Sequence, residues 1–152
     1  MFLARSKADL NDIKSSVNGV KKLSDRIIGI GPVGIGLDGI LAWFPVVGPV
    51  YSVIAGGILM VHGVRARASV GTLVKMGAIL VVDTMLDGTG GPIFGALDTV
   101  FTGHKWSANL LTKHIDNTFY IEASEAEARQ RPDYPAFMAR MRKERRRVVF
   151  LG

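Results

Sequence analysis

The 152-residue chain contains no cysteine. That removes disulfide frameworks, thiolate metal sites and thiol chemistry together, and leaves the redox compartment unspecified. The G-x-S-x-G pattern of a hydrolase nucleophile is also missing, and the three histidines, His62, His104 and His114, show no metal-ligand spacing. No secretory signal is visible, because the first apolar run begins near residue 27 behind an amphipathic segment and no small-residue cleavage site follows a short apolar core. These absences predict a retained, cytoplasmic N-terminus and a protein without enzymatic activity, cofactor or metal.

Charge is missing from long parts of the middle of the chain. Residues 36–62 contain one charged side chain, Asp38, and residues 76–103 contain three, Asp83, Asp87 and Asp98. Basic groups gather instead at the ends and in a connector that holds Arg65, Arg67 and Lys75. The net charge of +6 is therefore local, and basic segments beside apolar ones predict an anionic lipid surface as partner. Nucleic acid competes at a pI near 9.9, but 48% hydrophobic residues weigh against a dedicated nucleic-acid module.

Along residues 8–28, Leu10, Ile13, Val17, Val20, Leu23 and Ile27 recur at helical spacing. Such a helix can lie flat on lipid or pack on the rest of the protein. The following "GIGPVGIGLDG" spells G-x-G-x-x-G with Gly29, Gly31 and Gly34, yet a helical pattern precedes it, Pro32 interrupts it and the position for a ribose-binding acid is apolar. We read it as a flexible entry between helices.

From Gly39 to Val61 run 23 residues without a charge, long enough for a spanning helix of about 20 residues. Pro45, Gly48 and Pro49 argue for two shorter pieces meeting at a break. At about ten to thirteen residues each, the pieces would reach about 15 to 20 Å, the depth of one leaflet. Further helices are predicted over about 69–87, from Pro92 to about 103, and around Leu110, Leu111 and Ile115 up to Asn117. The tail starts with a capping pattern at Ser124 and Glu127 and continues as a basic, exposed helix over about 135–147.

A shift of 43 residues places "GPVYSVIAG" on "GPIFGALDT", aligning Gly48 with Gly91 and Pro49 with Pro92. We read an internal repeat with halves at about 29–62 and 72–105. Each half opens a small-residue stripe, Gly48, Ser52 and Gly56 in the first and Gly91, Gly95 and Thr99 in the second, of the kind that lets helix backbones approach closely in membranes.

Residues from "GLDGILAWFPVVGP" and "VVDTMLDGTGGPIFGALDTVFTGHKWSANLL" resemble the two halves of the bacterial domain-of-unknown-function family 4112, over about residues 20–116. Gly36, Leu37, Asp38, Pro45, Gly48, Asp83, Gly91, Asp98 and Asn109 carry the likeness, while Pro49 and Pro92 stand where the family pattern has Asp after the glycine. The resemblance implies this organisation and no known activity.

Asp38, Asp83, Asp87 and Asp98 form the candidate polar cluster. Carboxylates in apolar segments face protein or water and pair with something; helix-end capping and pairing with Lys75, Arg65 or Arg67 compete with a cation or proton site. Trp106, beside Lys105, and Arg140, Arg142, Lys143, Arg145, Arg146 and Arg147 are the candidates for headgroup or partner contact. Trp43 is a second possible anchor.

The expected protein is all-α: a small helical membrane protein with two Gly-Pro-broken hairpins, an N-terminal amphipathic helix and a basic C-terminal helix. Its membrane-associated domain covers 1–116 and its basic tail 117–152. Two hairpins entering from one face keep all three basic segments cytoplasmic, which sites the protein in the bacterial inner membrane. The expected role is an accessory or assembly subunit of a larger membrane complex, or a homo-oligomer, with other membrane subunits or itself as partner. A small channel or carrier built on broken helices and buried aspartates, and a soluble helical binding domain, are the rivals.

Overall fold

A computed structural model of the chain describes residues 2–28, 47–88 and 103–152, with side-chain surroundings for 2–22, 53–83, 85 and 103–152. Four long helices dominate it: α1 (Lys7–Ile28), α2 (Val47–Arg65), α3 (Val70–Gly88) and α4 (Gly103–Asn117). The G-x-G-x-x-G stretch, Trp43, Asp38, the helix expected from Pro92 and the second small-residue stripe (Gly91, Gly95, Thr99), together with Asp98, lie outside the described residues.

Helix α1 follows from its apolar spacing. Leu10, Ile13, Val17 and Val20 are all buried against the other helices, so at these positions the stripe packs on protein and not on a lipid surface. Its start is reciprocally capped. Ser6 Oγ accepts from the Asp9 amide at 3.1 Å, and the Asp9 carboxylate accepts from the amides of Arg5 (2.8 Å) and Ser6 (3.1 Å), which holds its pKa below the usual carboxylate range.

Pro49 falls in the first turn of α2, where an amide has no acceptor within the helix, so its missing donor costs nothing there. The helix then runs 19 residues, about 28 Å. The arm that follows the Gly-Pro pair is thus longer than the expected one-leaflet piece, because the polar residues at its end, His62 and Arg65, continue the helix and do not stop it. Among the described residues, no helix is long and apolar enough to cross a membrane.

A tight turn over residues 66–69 reverses the chain, and α2 and α3 pack side by side in opposite directions. Glycines set their separation. A Cβ at Gly56 would lie 3.4 Å from Leu80 Cδ2, and one at Gly63 only 2.8 Å from Leu73 Cδ2, so two leucines of α3 settle over glycines of α2. Helix α4 packs on α1, α2 and α3 and contributes Ala108, Leu111 and Ile115 to the shared core.

The helices give the molecule two poles. The Ala4 amide donates to Arg65 O at 2.9 Å, joining the N-terminus to the end of α2. The C-terminal strand reaches the same place through Arg67, whose guanidinium donates to Phe150 O at 2.6 Å and Leu151 O at 3.2 Å. N-terminal segment, connector and C-terminal segment, the three basic parts of the sequence, therefore share one pole.

The last 35 residues depart from an all-helical chain with an exposed tail. They form β1 (Thr118–Ile121), α5 (Glu125–Arg129), α6 (Tyr134–Lys143) and β2 (Arg147–Phe150), with β1 and β2 paired in parallel, Thr118 opposite Arg147. The capping box expected at Ser124 and Glu127 is present. Helix α6 ends at Lys143 rather than near 147, because Arg145 turns left-handed at φ 53° and the Arg146 amide bonds back to Met141 O. Val149 and Leu151 then enter the core and Tyr120 donates its hydroxyl to Ala66 O at 2.9 Å, so this segment is built onto the helices.

Candidate functional site

Of the four aspartates, Asp83 has a described side chain; Asp87 ends α3 without one, and Asp38 and Asp98 lie outside the described residues. Asp83 is buried between α3 and the start of α4. Its Oδ1 accepts from the Gly103 amide at 2.8 Å and its Oδ2 lies 2.9 Å from His104 Nδ1, with only 5% and 8% of the two side chains exposed. The capping role expected for an aspartate at a helix end is met here. The expected Lys or Arg partners are not, because Arg65 and Arg67 sit at the basic pole, about 20 Å away along α3, and Lys75 is exposed about 12 Å back along the same helix. The carboxylate also explains Gly103, since a Cβ there would meet Asp83 Cγ at 2.5 Å.

A second polar group closes the basic pole. Ser69 caps α3, its Oγ accepting from the Thr72 amide at 3.3 Å and lying 2.9 Å from Thr72 Oγ1. His114 of α4 joins them: Nε2 accepts from the Ser69 amide (3.2 Å) and faces Arg147 Nη1 (3.2 Å). With two donors at Nε2, the ring proton sits on Nδ1 and is donated to Thr72 Oγ1 at 2.9 Å. Burial, and secondarily the charge of Arg147, lower the His114 pKa and keep the ring neutral. Thr72 is buried, and the Ser-Thr-His chain staples three segments together. Among the described residues, no group of three or more metal-ligating side chains comes together.

The basic candidates divide into two groups. Arg147 donates to Arg67 O at 2.6 Å, Arg146 to Asp116 O at 3.1 Å while lying over Phe119, and Arg140 pairs with Glu144 at 3.8 Å and stacks over Phe137. These three are engaged in structure. Arg142, Lys143 and Arg145 are exposed, and no carboxylate among the described residues pairs with them. Trp106 is exposed in the first turn of α4, at the pole opposite to the arginines, so the structure separates two candidates that the sequence grouped. In the small-residue stripe Gly56 does face α3, while Gly48 and Ser52 lie in α2 with side-chain positions undescribed.

The largest feature was not singled out from the sequence as a surface. Helix α2 exposes Val53, Ile54, Ile58, Val61 and Val64, and α3 exposes Val70, Val74, Val81, Val82 and Met85. Each set follows helical spacing on the side turned away from the core, with Lys75 the one exposed charge among the described side chains of the two helices. The outer face of α1 is the reverse, exposing Asn11, Asp12, Ser15, Ser16, Asn18 and Lys22. The signal was present as apolar residues all around α2 and α3, a pattern that suits a fully buried helix or a membrane helix equally.

Residues 13–115 match the family described as Domain of unknown function (DUF4112). The chain belongs to this family. The match begins inside α1 and ends in the last turn of α4, so the DUF4112 part takes in most of the four described helices with their Asp83–His104 pair, and the β1–β2 segment lies beyond it. The start at residue 13 is earlier than the resemblance placed it, because the family includes the core stripe of α1. No curated protein and no solved structure matches the chain.

Proposed function

We propose that this DUF4112 protein is a non-enzymatic membrane protein whose α2–α3 hairpin faces lipid, inserted from the cytoplasmic side of the bacterial inner membrane, and that it serves as an accessory or assembly subunit of a larger membrane complex or as a homo-oligomer. The observation that carries the reading is the pair of adjacent, exposed apolar faces on α2 and α3. Ten large aliphatic or Met side chains in water would be a strong liability for aggregation, whereas in hydrocarbon the exposed part of each is stabilised by about 1 kcal/mol. The proposal requires no helix to cross the bilayer.

The common basic pole supports the orientation. Insertion of the hairpin from its 66–69 end would drag Arg65 and Arg67 through hydrocarbon, while insertion from the other end leaves them with the termini at the headgroups. Arg142, Lys143 and Arg145 are then free to meet anionic lipid. The carrier alternative draws on Asp83, but both of its oxygens are held by protein groups, which leaves a structural pair as the better reading.

Because the chain has no cysteine, single cysteines report position cleanly. Leu3→Cys, Val64→Cys and Phe150→Cys are expected to react with an impermeant reagent from the same face of sealed inner-membrane vesicles. Reaction of Val64→Cys from the opposite face overturns the orientation. Release of the protein by carbonate without detergent overturns membrane insertion altogether.

A further inference from the structure

The C-terminal ribbon is two strands wide, and its parallel register determines which backbone groups it uses. Leu151 donates its amide to Ile121 O at 2.8 Å, and Ile121 pairs with Phe150, so Phe119 and Ile121 turn their amides and carbonyls toward β2. Tyr120, between them in the strand, turns its amide and carbonyl the other way. Among the described residues, no hydrogen bond reaches the backbone amide or carbonyl of Tyr120. Strand β1 therefore keeps an unpaired edge, the feature that invites another strand.

Two clefts run along that edge. One, of about 410 Å³, lies between β1 and α5–α6 and is walled by Phe119, Tyr134, Phe137, Ala128, Arg131 and Arg140. The other, of about 310 Å³, lies between β1 and α1, beside Leu10, Lys14 and Ile115. Lys7, Phe119 and Tyr120 border both, so the clefts adjoin at the strand. Side chains of an added strand would alternate between two faces, one meeting the Phe119–Phe137 pair, whose rings stand edge to face at 5.0 Å. Lys7, Lys14, Arg131 and Arg140 outnumber the carboxylates Glu122 and Asp133 on the cleft walls. Their existing ion pairs, Lys14 with Asp116, Arg131 with Asp133 and Arg140 with Glu144, are exposed and cost little to exchange.

We propose that the free edge of β1 and its two clefts bind an extended, acidic segment of a partner protein with apolar residues at alternate positions, which pairs with Tyr120 as a third strand. Strand β1 and the α5–α6 wall lie outside the DUF4112 match, Lys14 and Ile115 of the second cleft lie within it, and the proposal does not depend on the lipid-facing reading of α2–α3.

A random dodecapeptide display library panned against the full chain in detergent micelles tests it. Enriched sequences are expected to alternate Glu or Asp with β-branched or aromatic residues, and the synthesised peptide should bind about tenfold more weakly after N-methylation of alternate amides. Arg131→Glu with Arg140→Glu, both exposed, should weaken the same peptide about tenfold while leaving the circular dichroism spectrum unchanged. No enrichment, enrichment of basic peptides, or affinity indifferent to N-methylation overturns the proposal. Sedimentation in the same micelles reads the rival occupant, a second copy of β1: a dimer that the peptide fails to compete away also overturns it. Flotation of the double variant with zwitterionic vesicles, which reads hairpin insertion without the headgroup charge, is expected to stay normal, which separates failure here from failure of the membrane reading.

Discussion

Arg67 and Arg145 occupy the same position in two helix ends, yet replacing them is expected to have opposite effects. Both sit at positive φ, 52° and 53°, and in both turns the next amide bonds back to the carbonyl five residues earlier, Ala68 to Gly63 and Arg146 to Met141. Glycine is the residue such a position favours. Arg145 is exposed, so Arg145→Gly should raise stability by about 0.5 kcal/mol as backbone strain is relieved. Arg67→Gly relieves the same strain but removes two guanidinium bonds to Phe150 and Leu151, for a net loss of about 2 kcal/mol. Denaturant titration in micelles measures both; a stabilising Arg67→Gly would show that the clamp on β2 contributes nothing.

Gly103 and Asp83 belong to the same residue-level account. Gly103→Ala would press a methyl into Asp83 and should cost about 2 kcal/mol. Asp83→Ala leaves His104 and the Gly103 amide without their buried acceptor and should cost about 3 kcal/mol, with Asp83→Asn between it and the parent protein. Equal stability of Asp83→Ala and the parent in thermal unfolding would remove the pair from the structural core.

At the scale of elements, the junction of α3, α4 and β2 responds to pH through His114. Its folded pKa lies below the ordinary histidine value, so the unfolded chain binds the proton more readily. The stabilisation from the neutral ring is complete above about pH 6.5 and is lost as pH falls below that value toward the folded pKa. Protonation places a hydrogen on Nε2, the atom that accepts from the Ser69 amide, and adds a charge beside Arg147. The melting temperature should therefore drop between pH 7 and pH 5, and His114→Gln should flatten that slope; an unchanged slope would assign the pH response to another group.

For the whole molecule, the contrast between the apolar α2–α3 side and the polar α1 side is the property with most consequence. Ile54→Asp or Val81→Asp alters an exposed position and should leave folding intact, but a charge at a lipid-facing site costs about 3 kcal/mol. Flotation with vesicles containing anionic lipid should fall by more than about tenfold for either variant, while Asn18→Asp on α1 should float as before. Flotation that tolerates both aliphatic substitutions would mean that the α2–α3 side is covered by something other than lipid.

Much of the helical body can be read directly along the chain. The stripe of α1, the helix beginning near residue 70, the end of α4 near Asn117 and the cap at Ser124 and Glu127 are local features, visible because helix periodicity and capping act over three or four residues. The family is legible for the same reason, through short motifs in order. What needed tertiary structure depends on residues far apart. Strands of four residues are too short to show a period, and parallel pairing joins Thr118 to Arg147 only through the crossover between them. The partnership of Asp83 with His104 arises where α3 and α4 meet and no spacing announces it. Apolar residues around α2 and α3 identified greasy helices; which of those residues face Leu80 and Met76 and which face outward was decided only when α4 took up one side and left the other open.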